Sequence, residues 1–138
     1  MANAMYDHAR ENFILGNMDW VDDDHRIMFI DEGVDVPDIA VDEDLDDRTV
    51  GAIEGTSANM ASEANVGGVC DAADITVATV TGETVESIDL YKETGVAGTS
   101  LLICNIDTCT GLAFTPNGGD VTVAWDAGAN KIFAWNNS

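Results

Sequence analysis

Short apolar runs separated by glycine-rich turns are the feature that most limits how this chain can fold. Apolar residues alternate with smaller or polar residues over positions 75–80 and 121–126, as in strands that have one buried face. Residues 26–30 instead form a nearly continuous apolar stretch, which predicts a strand buried on both faces. Several short strands between such turns predict a mainly β fold, an antiparallel sandwich or jelly-roll-like domain with one short N-terminal helix and a long acidic loop.

Two glycines predict where the chain turns back on itself. Gly95 and Gly98 separate the segments 86–93 and 99–106, so the sequence predicts a hairpin between these segments. Residues 87–91 alternate between large apolar side chains and Ser, Asp or Tyr. This alternation predicts a strand with one buried face and one solvated face.

The sequence predicts a single domain over residues 1–138. A chain of this length buries around two-thirds of the surface that it exposes when unfolded, which is enough for one core. Residues 73–135 carry most of the strand pattern, and we expect them to form the β core. Residues 33–63 have no sustained period and are predicted to form a long loop or arm, a kind of segment that usually has a function in a compact domain.

Residues 3–16 are predicted to form the N-terminal helix. Apolar side chains recur at four-residue spacing from Met5 to Phe13. Asn3 is a candidate N-cap, and Gly16 is a candidate stop. Because an isolated helix of about three turns is marginal in water, its apolar stripe must dock on the chain's own sheet or on a neighbouring copy.

The charge of the chain excludes several classes of partner. There are 26 Asp and Glu residues against 5 Lys and Arg, a formal charge of −21. Affinity for nucleic acid and for anionic lipid comes mainly from Lys and Arg, so neither nucleic acid nor a membrane is predicted as a partner. With 46% hydrophobic residues, the chain has the material for a core and is not predicted to be disordered. No apolar run reaches the roughly 18 residues of a membrane span, and no secretory signal pattern is present, which predicts synthesis in the cytoplasm.

The acidic residues are concentrated in the first third of the chain. Thirteen of the 26 lie between Asp19 and Asp47, where Arg26 is the only Lys or Arg. The last third is nearly neutral. We therefore expect the acidic third to face solvent or a basic groove on a partner, and the neutral remainder to build the core and the interface.

One acidic motif is a candidate cation site. Asp42, Asp44 and Asp46 have the spacing of the first three ligands of an EF-hand loop. Asp47 stands where the EF-hand requires Gly, and Ile53 stands where it requires a bidentate Glu, so an EF-hand is excluded. An irregular Ca²⁺ or Mg²⁺ site remains open beside the simpler interpretation of a solvated acidic loop, and no other cofactor is predicted.

The sequence gives no reason to expect an enzyme. His8 and His25 are the only histidines, and the chain has no nucleophile-elbow, phosphate-loop or zinc-protease motif. We expect the neighbouring Asp22, Asp23 and Asp24 to favour the protonated form of His25.

The cysteines are predicted to be free thiols. Cys70, Cys104 and Cys109 form an odd set in a chain too large to need disulfides for stability. Such thiols usually pack as small, buried or partly buried hydrophobic groups.

Five aromatic side chains are candidates for a subunit interface. They lie on the predicted helix, in the acidic segment and in the apolar C-terminal run: Tyr6, Phe13, Trp20, Phe133 and Trp135. A core or interface position explains the tryptophans better than a sugar-stacking platform does. The run at residues 131–135 is also unusually apolar for a free terminus, since termini fray unless they are tied into a sheet.

Several motifs resemble those of small virion proteins of tailed bacteriophages. The likeness starts with Ala-Met-Tyr-Asp-His-Ala-Arg-Glu-Asn-Phe at residues 4–13 and runs over most of the chain. Its most distinctive part is the C-terminal pair Thr-Pro-Asn-Gly-Gly-Asp at 115–120 and Gly-Ala-Asn-Lys-Ile-Phe at 128–133. The three cysteines and the dense acidic segment depart from the family pattern.

This resemblance implies a structural protein of the capsid decoration or cement type. Such a protein is made in the host cytoplasm and lies on the outer capsid surface of the virion. The implied partners are the major capsid protein and further copies of the chain itself, with a trimer favoured, and the resemblance implies no catalytic residues. Two alternatives remain open, namely a tail- or fibre-associated virion protein or adhesin-like module, and a Ca²⁺-dependent binding domain.

Overall fold

The computed structural model describes residues 3–135. This part of the chain is mainly β, with antiparallel sheets and one α-helix, α1, at Asp7–Leu15. The strands are β1 (Ala4–Met5), β2 (His25–Ile30), β3 (Ile53–Thr56), β4 (Ala64–Val66), β5 (Val69–Asp71), β6 (Ile75–Val77), β7 (Ser87–Lys92), β8 (Leu102–Ile106), β9 (Val121–Val123) and β10 (Phe133–Ala134). The predicted mainly β fold class is confirmed. No helix within the described range is long and apolar enough to cross a membrane.

A five-stranded sheet forms the centre of the molecule. Its strand order is β1-β8-β7-β2-β3, and every neighbouring pair is antiparallel. The predicted hairpin is confirmed, because β7 and β8 pair directly. Two smaller sheets, β10-β5-β4 and β6-β9, complete a sandwich-like arrangement.

Strand β2 supplies side chains to both faces of the central sheet. Ile27 and Phe29 belong to the larger hydrophobic cluster, together with side chains from β5, β6 and β10. Met28 and Ile30 belong to a smaller cluster on the opposite face, as the alternation of side chains along a strand requires. The burial of β2 on both faces confirms the prediction for this segment. It also places a central strand outside the predicted β core at 73–135.

The prediction that β7 has a solvated face is wrong. Ser87, Asp89 and Tyr91, which alternate with the apolar residues of this strand, are all buried. Helix α1 and the segment between β2 and β3 cover that face, where Tyr6 and Ala52 pack beside Tyr91. Polar residues on a strand therefore lie inside this protein.

The N-terminal helix starts later than predicted. Ala4 and Met5 pair with β8 instead of forming its first turn, and Tyr6 takes the N-cap position without a side-chain hydrogen bond. Asn3 is thus not the cap, which corrects the prediction. The predicted stop is confirmed, because Gly16 ends α1 with φ of 80°, a left-handed conformation that suits glycine.

The predicted loop or arm at 33–63 contains part of the central sheet. Strand β3 forms one edge of that sheet, and short 3₁₀ turns at Leu45–Asp47 and Val50–Ala52 precede it. Within β3, a Cβ atom on Gly55 would lie 3.4 Å from the Phe29 side chain. The segment is therefore packed against the core and does not project as a free arm.

Candidate functional site

The segment between β2 and β3 presents apolar and acidic side chains together at the surface. We call residues 31–52 the acidic loop. Four of its valines are between 53% and 84% exposed: Val34, Val36, Val41 and Val50. Exposed carboxylates stand among them, from Asp38, Glu43, Asp46 and Asp47. Because exposed apolar side chains rimmed by polar ones mark protein-binding sites where they form a patch, this loop is a candidate surface for another protein.

A single buried arginine holds this loop to the central sheet. The side chain of Arg48 is fully buried, and its Nε lies 3.0 Å from Oδ2 of Asp89 on β7. Its Nη2 lies 2.9 Å from Oδ2 of Asp42, and its Nη1 lies 3.1 Å from Oδ1 of Asp35. Because Asp42 and Asp35 belong to the acidic loop itself, the guanidinium ties two parts of the loop to one strand of the core.

Asp89 accepts further hydrogen bonds beneath the loop. The Tyr6 hydroxyl donates to Oδ1 of Asp89 at 2.6 Å, and the Asn105 amide donates to the same oxygen at 3.0 Å. Burial raises the pKa of Asp89, while the Arg48 charge and these two donors act against that rise. Every one of these contacts favours the carboxylate form, so we assign an ion pair between Arg48 and Asp89.

The pKa values of Tyr6 and Arg48 in this network respond to the same contacts. Burial raises the pKa of Tyr6 above its ordinary value, and the Asp89 charge adds to that rise, so the phenol stays a donor. Burial is the largest single influence on the pKa of Arg48 and lowers it, but Asp89, Tyr6 and Asp42 together outweigh burial and the net change is upward. The network therefore keeps the Tyr6 hydroxyl as a donor and the Arg48 guanidinium as a cation throughout the physiological pH range.

Two of the three candidate metal ligands serve the structure of the loop, and the third, Asp46, is exposed on the 3₁₀ turn. Asp42 pairs with Arg48. Asp44 caps the 3₁₀ turn that follows it, where its Oδ1 accepts a hydrogen bond from the Asp46 backbone at 3.0 Å. No group of three or more His, Cys, Asp or Glu side chains within residues 3–135 is arranged to hold a metal ion.

His25 lies inside the molecule, where burial has a larger effect on its pKa than the charge of the acidic run. Its ring is fully buried, stacks 4.5 Å from the Trp20 ring and has Nδ1 3.7 Å from Oε1 of Glu63. Burial lowers the pKa of His25 and outweighs the opposing charges of Glu63 and Asp23. This corrects the prediction that neighbouring aspartates favour the protonated form, because desolvation is the larger effect.

The buried histidine makes stability depend on pH. Below about pH 6.5, the unfolded chain binds a proton at His25 that the folded chain resists, so this residue removes stability as pH falls. We expect the free energy of unfolding of the native protein to fall relative to that of His25→Phe when urea unfolding is measured from about pH 8 to about pH 5. A constant difference across that range would contradict the assignment.

Four of the five predicted interface aromatics form one cluster. The Trp20 and Phe133 rings have centroids 5.1 Å apart, and Phe13 lies 5.3 Å from Trp135 and 5.9 Å from Phe133. Trp20 takes the core position that the sequence allows for it, and Phe133 and Tyr6 are buried in the chain's own core as well, so these three side chains are not accessible to a partner in this structure. Trp135 is 40% exposed and Phe13 is partly buried, so these two remain available to a partner.

An open cleft lies between the central sheet and the small sheet β6-β9. Its volume is about 970 Å³, close to the upper limit of roughly 1,000 Å³ for ordinary ligand pockets. Phe29, Ile88 and Ile106 of the central sheet line it on one side, and Val121 and Trp125 line it on the other. No motif marks this cleft in the sequence. The nearest signal is the alternation over residues 121–126, which predicts inward-facing side chains but not the space that they border.

The three cysteines are free, as predicted. Cys70 and Cys104 are buried, whereas Cys109 is exposed, a correction to the expectation that all three are at least partly buried. Burial raises the pKa of Cys104 to about 12, and the Asp89 charge contributes to that rise. Cys104 is therefore an inert thiol at neutral pH.

Comparison with models of known protein families finds no match, and none of the curated proteins matches the chain. The resemblance to phage virion proteins therefore stays a prediction. The acidic loop and the cleft are the two surfaces of this molecule on which a function can rest.

Proposed function

We propose that this protein is a virion structural protein of a bacteriophage, a capsid decoration or cement protein that binds adjacent major capsid subunits on the outer shell and stabilises them. The observation that carries the proposal is the acidic loop, whose exposed valines are held in place by the buried Arg48.

The loop has the properties of a preorganised binding surface. Its apolar side chains are exposed before any partner arrives, and the ion pairs of Arg48 with Asp35, Asp42 and Asp89 fix the backbone that carries them. A surface that is ordered in advance loses less conformational entropy on binding. Its exposed carboxylates favour a partner surface with basic groups, since complementary charge speeds association and selects the partner.

The charge of the chain supports a place on the outside of a shell. A formal charge of −21 opposes contact with packaged nucleic acid, whereas an outer position leaves the acidic residues in solvent or against basic groups. A protein whose site spans two capsid subunits binds only the assembled shell, and it stabilises that state by mass action. Self-association as a trimer is part of the proposal, with the nearly neutral C-terminal third and Trp135 at the contact.

Sedimentation with shells that lack the protein tests the proposal. We expect the native protein to sediment with the shells and to raise their temperature of disruption. Val36→Ser should weaken binding about tenfold or more, because it removes an apolar anchor from the loop. Val96→Ser is the matched control, since Val96 is 61% exposed against 64% for Val36 and lies in the turn between β7 and β8.

Two outcomes would contradict the proposal. The first is a native protein that stays in the supernatant at every shell concentration. The second is equal loss of binding in the Val36 and Val96 variants, which would remove the acidic loop from the contact.

A further inference from the structure

Strand β9 runs along the cleft with one of its edges facing the open space. The cleft is lined by every residue from 120 to 126, including Thr122 and Ala124, which alternate with the inward-facing valines. No residue of β6, the hydrogen-bonded neighbour of β9, lines it. The cleft therefore borders the side of β9 that lies away from β6.

That edge of β9 is open to a further strand. Among residues 3–135, β9 pairs with β6 alone, in a sheet of two strands. A strand edge presents backbone N–H and C=O groups at a spacing that another extended chain can match. An extended peptide can therefore form backbone hydrogen bonds with this edge of β9, as in recognition by strand addition.

We propose that the cleft binds an extended segment of a partner protein, added as a strand to the free edge of β9, in which apolar residues alternate with basic residues. This surface is separate from the acidic loop, so the inference goes beyond the proposed function, and either can hold without the other.

The interior of the cleft accounts for the apolar positions of the segment. Phe29 and Ile88 of the central sheet lie beneath it and are buried, whereas Val121, Val123 and Trp125 are only partly buried beside it and leave apolar surface to cover. Alternate side chains of an added strand point to the same face. One set would therefore enter the cleft and cover these apolar groups, whereas the other set would point outward.

Charge at the ends of β9 selects basic residues for the outward positions. Asp120 and Asp126 flank the strand and are exposed. Lys131 is the single Lys or Arg that lines the cleft. The same two carboxylates argue against a second copy as the occupant, because antiparallel pairing of two β9 strands would bring Asp120 of each copy toward Asp126 of the other. A basic partner avoids this repulsion.

The test uses a synthetic peptide and the full chain. The probe is a capped peptide of about seven residues that alternates lysine with valine, long enough to run beside residues 120–126 at about 3.3 Å per residue. Binding is followed by the backbone amide signals of the isotopically labelled protein. Matched probes carry glutamate in place of lysine, or N-methyl groups on every valine, or N-methyl groups on every lysine.

The expected result is a saturable change in the signals of residues 120–126 with the lysine peptide. Glutamate should weaken binding about tenfold or more through charge repulsion. In an added strand, alternate N–H groups point toward β9 and the others point away from it. The affinity of one methylated peptide should therefore fall about tenfold, because its methyl groups remove the hydrogen bonds to β9, whereas the other methylated peptide should still bind.

Three results would overturn the inference. The first is the absence of a saturable change in the amide signals of residues 120–126 with the lysine peptide. The second is equal affinity of the lysine peptide and both methylated peptides. The third is binding of a neutral apolar dye in the cleft while the lysine peptide gives no change in these signals. The last would indicate a site for a small apolar ligand. None of the three would affect sedimentation with shells, so failure here is distinguishable from failure of the proposed function.

Discussion

Replacing Arg48 with methionine is expected to lower the free energy of unfolding by about 3–5 kcal/mol, because the change leaves Asp89 buried without its cation. Methionine keeps much of the length and apolar surface of the arginine stem. The decrease in the free energy of unfolding therefore measures the effect of removing the charge and its hydrogen bonds. Urea unfolding followed by tryptophan fluorescence measures it. The loss is a large part of the 5–15 kcal/mol that stabilises an ordinary domain.

A second arginine gives the control for this prediction. Arg26 is 35% exposed at its side chain and lies 3.7 Å from Glu93, so Arg26→Met should cost about 1 kcal/mol or less. Asp89→Asn, added to Arg48→Met, should recover part of the loss, since it removes the uncompensated charge. An Arg48→Met variant that is as stable as Arg26→Met would contradict the account of the loop anchor.

Truncating Phe29 should cause a loss of similar size. Phe29 is fully buried in β2, and its ring meets that of Phe114 edge to face with centroids 5.4 Å apart. Phe29→Ala is expected to lower the free energy of unfolding by about 3–5 kcal/mol, through lost apolar burial and the cavity that remains. The same urea titration measures the loss.

Phe29 also borders the cleft, so comparison with an exposed apolar residue tests the packing on which the cleft depends. Ile14→Ala removes apolar atoms from a side chain that is 80% exposed on α1, and it should change stability by about 0.5 kcal/mol or less. A Phe29→Ala variant no less stable than Ile14→Ala would contradict the packing described here, and with it the cleft that Phe29 borders.

The strand pattern of the sequence was sufficient to predict the fold class. Strand β2 is apolar throughout residues 27–30, and residues 121–126 alternate, so each could be assigned from its own residues. Gly95 and Gly98 mark the hairpin, and Gly16 marks the end of α1. These are local signals, because glycine conformations and side-chain alternation depend on neighbours in the chain.

The buried polar network could not be predicted in the same way. Asp89 lies on a strand among apolar residues, where alternation alone indicates a solvated face. Its partners Tyr6 and Arg48 are 83 and 41 residues away in the chain, so only the folded topology brings them together. The prediction for His25 is wrong for a related reason, because burial has a larger effect on its pKa than the adjacent aspartates do, and the contact with Trp20 comes from the fold.

The cleft was also beyond sequence reasoning. It forms where β9 meets the central sheet, and its two sides come from residues far apart in the chain, such as Phe29 and Val121. The pattern predicts which side chains of β9 point inward. It carries no information on the distance between the two sheets.

The most direct measurement of the central claim is the number of copies of this protein per purified virion, from quantitative mass spectrometry against the major capsid protein. A decoration protein predicts a fixed ratio to that protein, on the order of hundreds of copies per particle. Absence from the virion would contradict the claim, and about a dozen copies or fewer would contradict it in favour of a tail or fibre position.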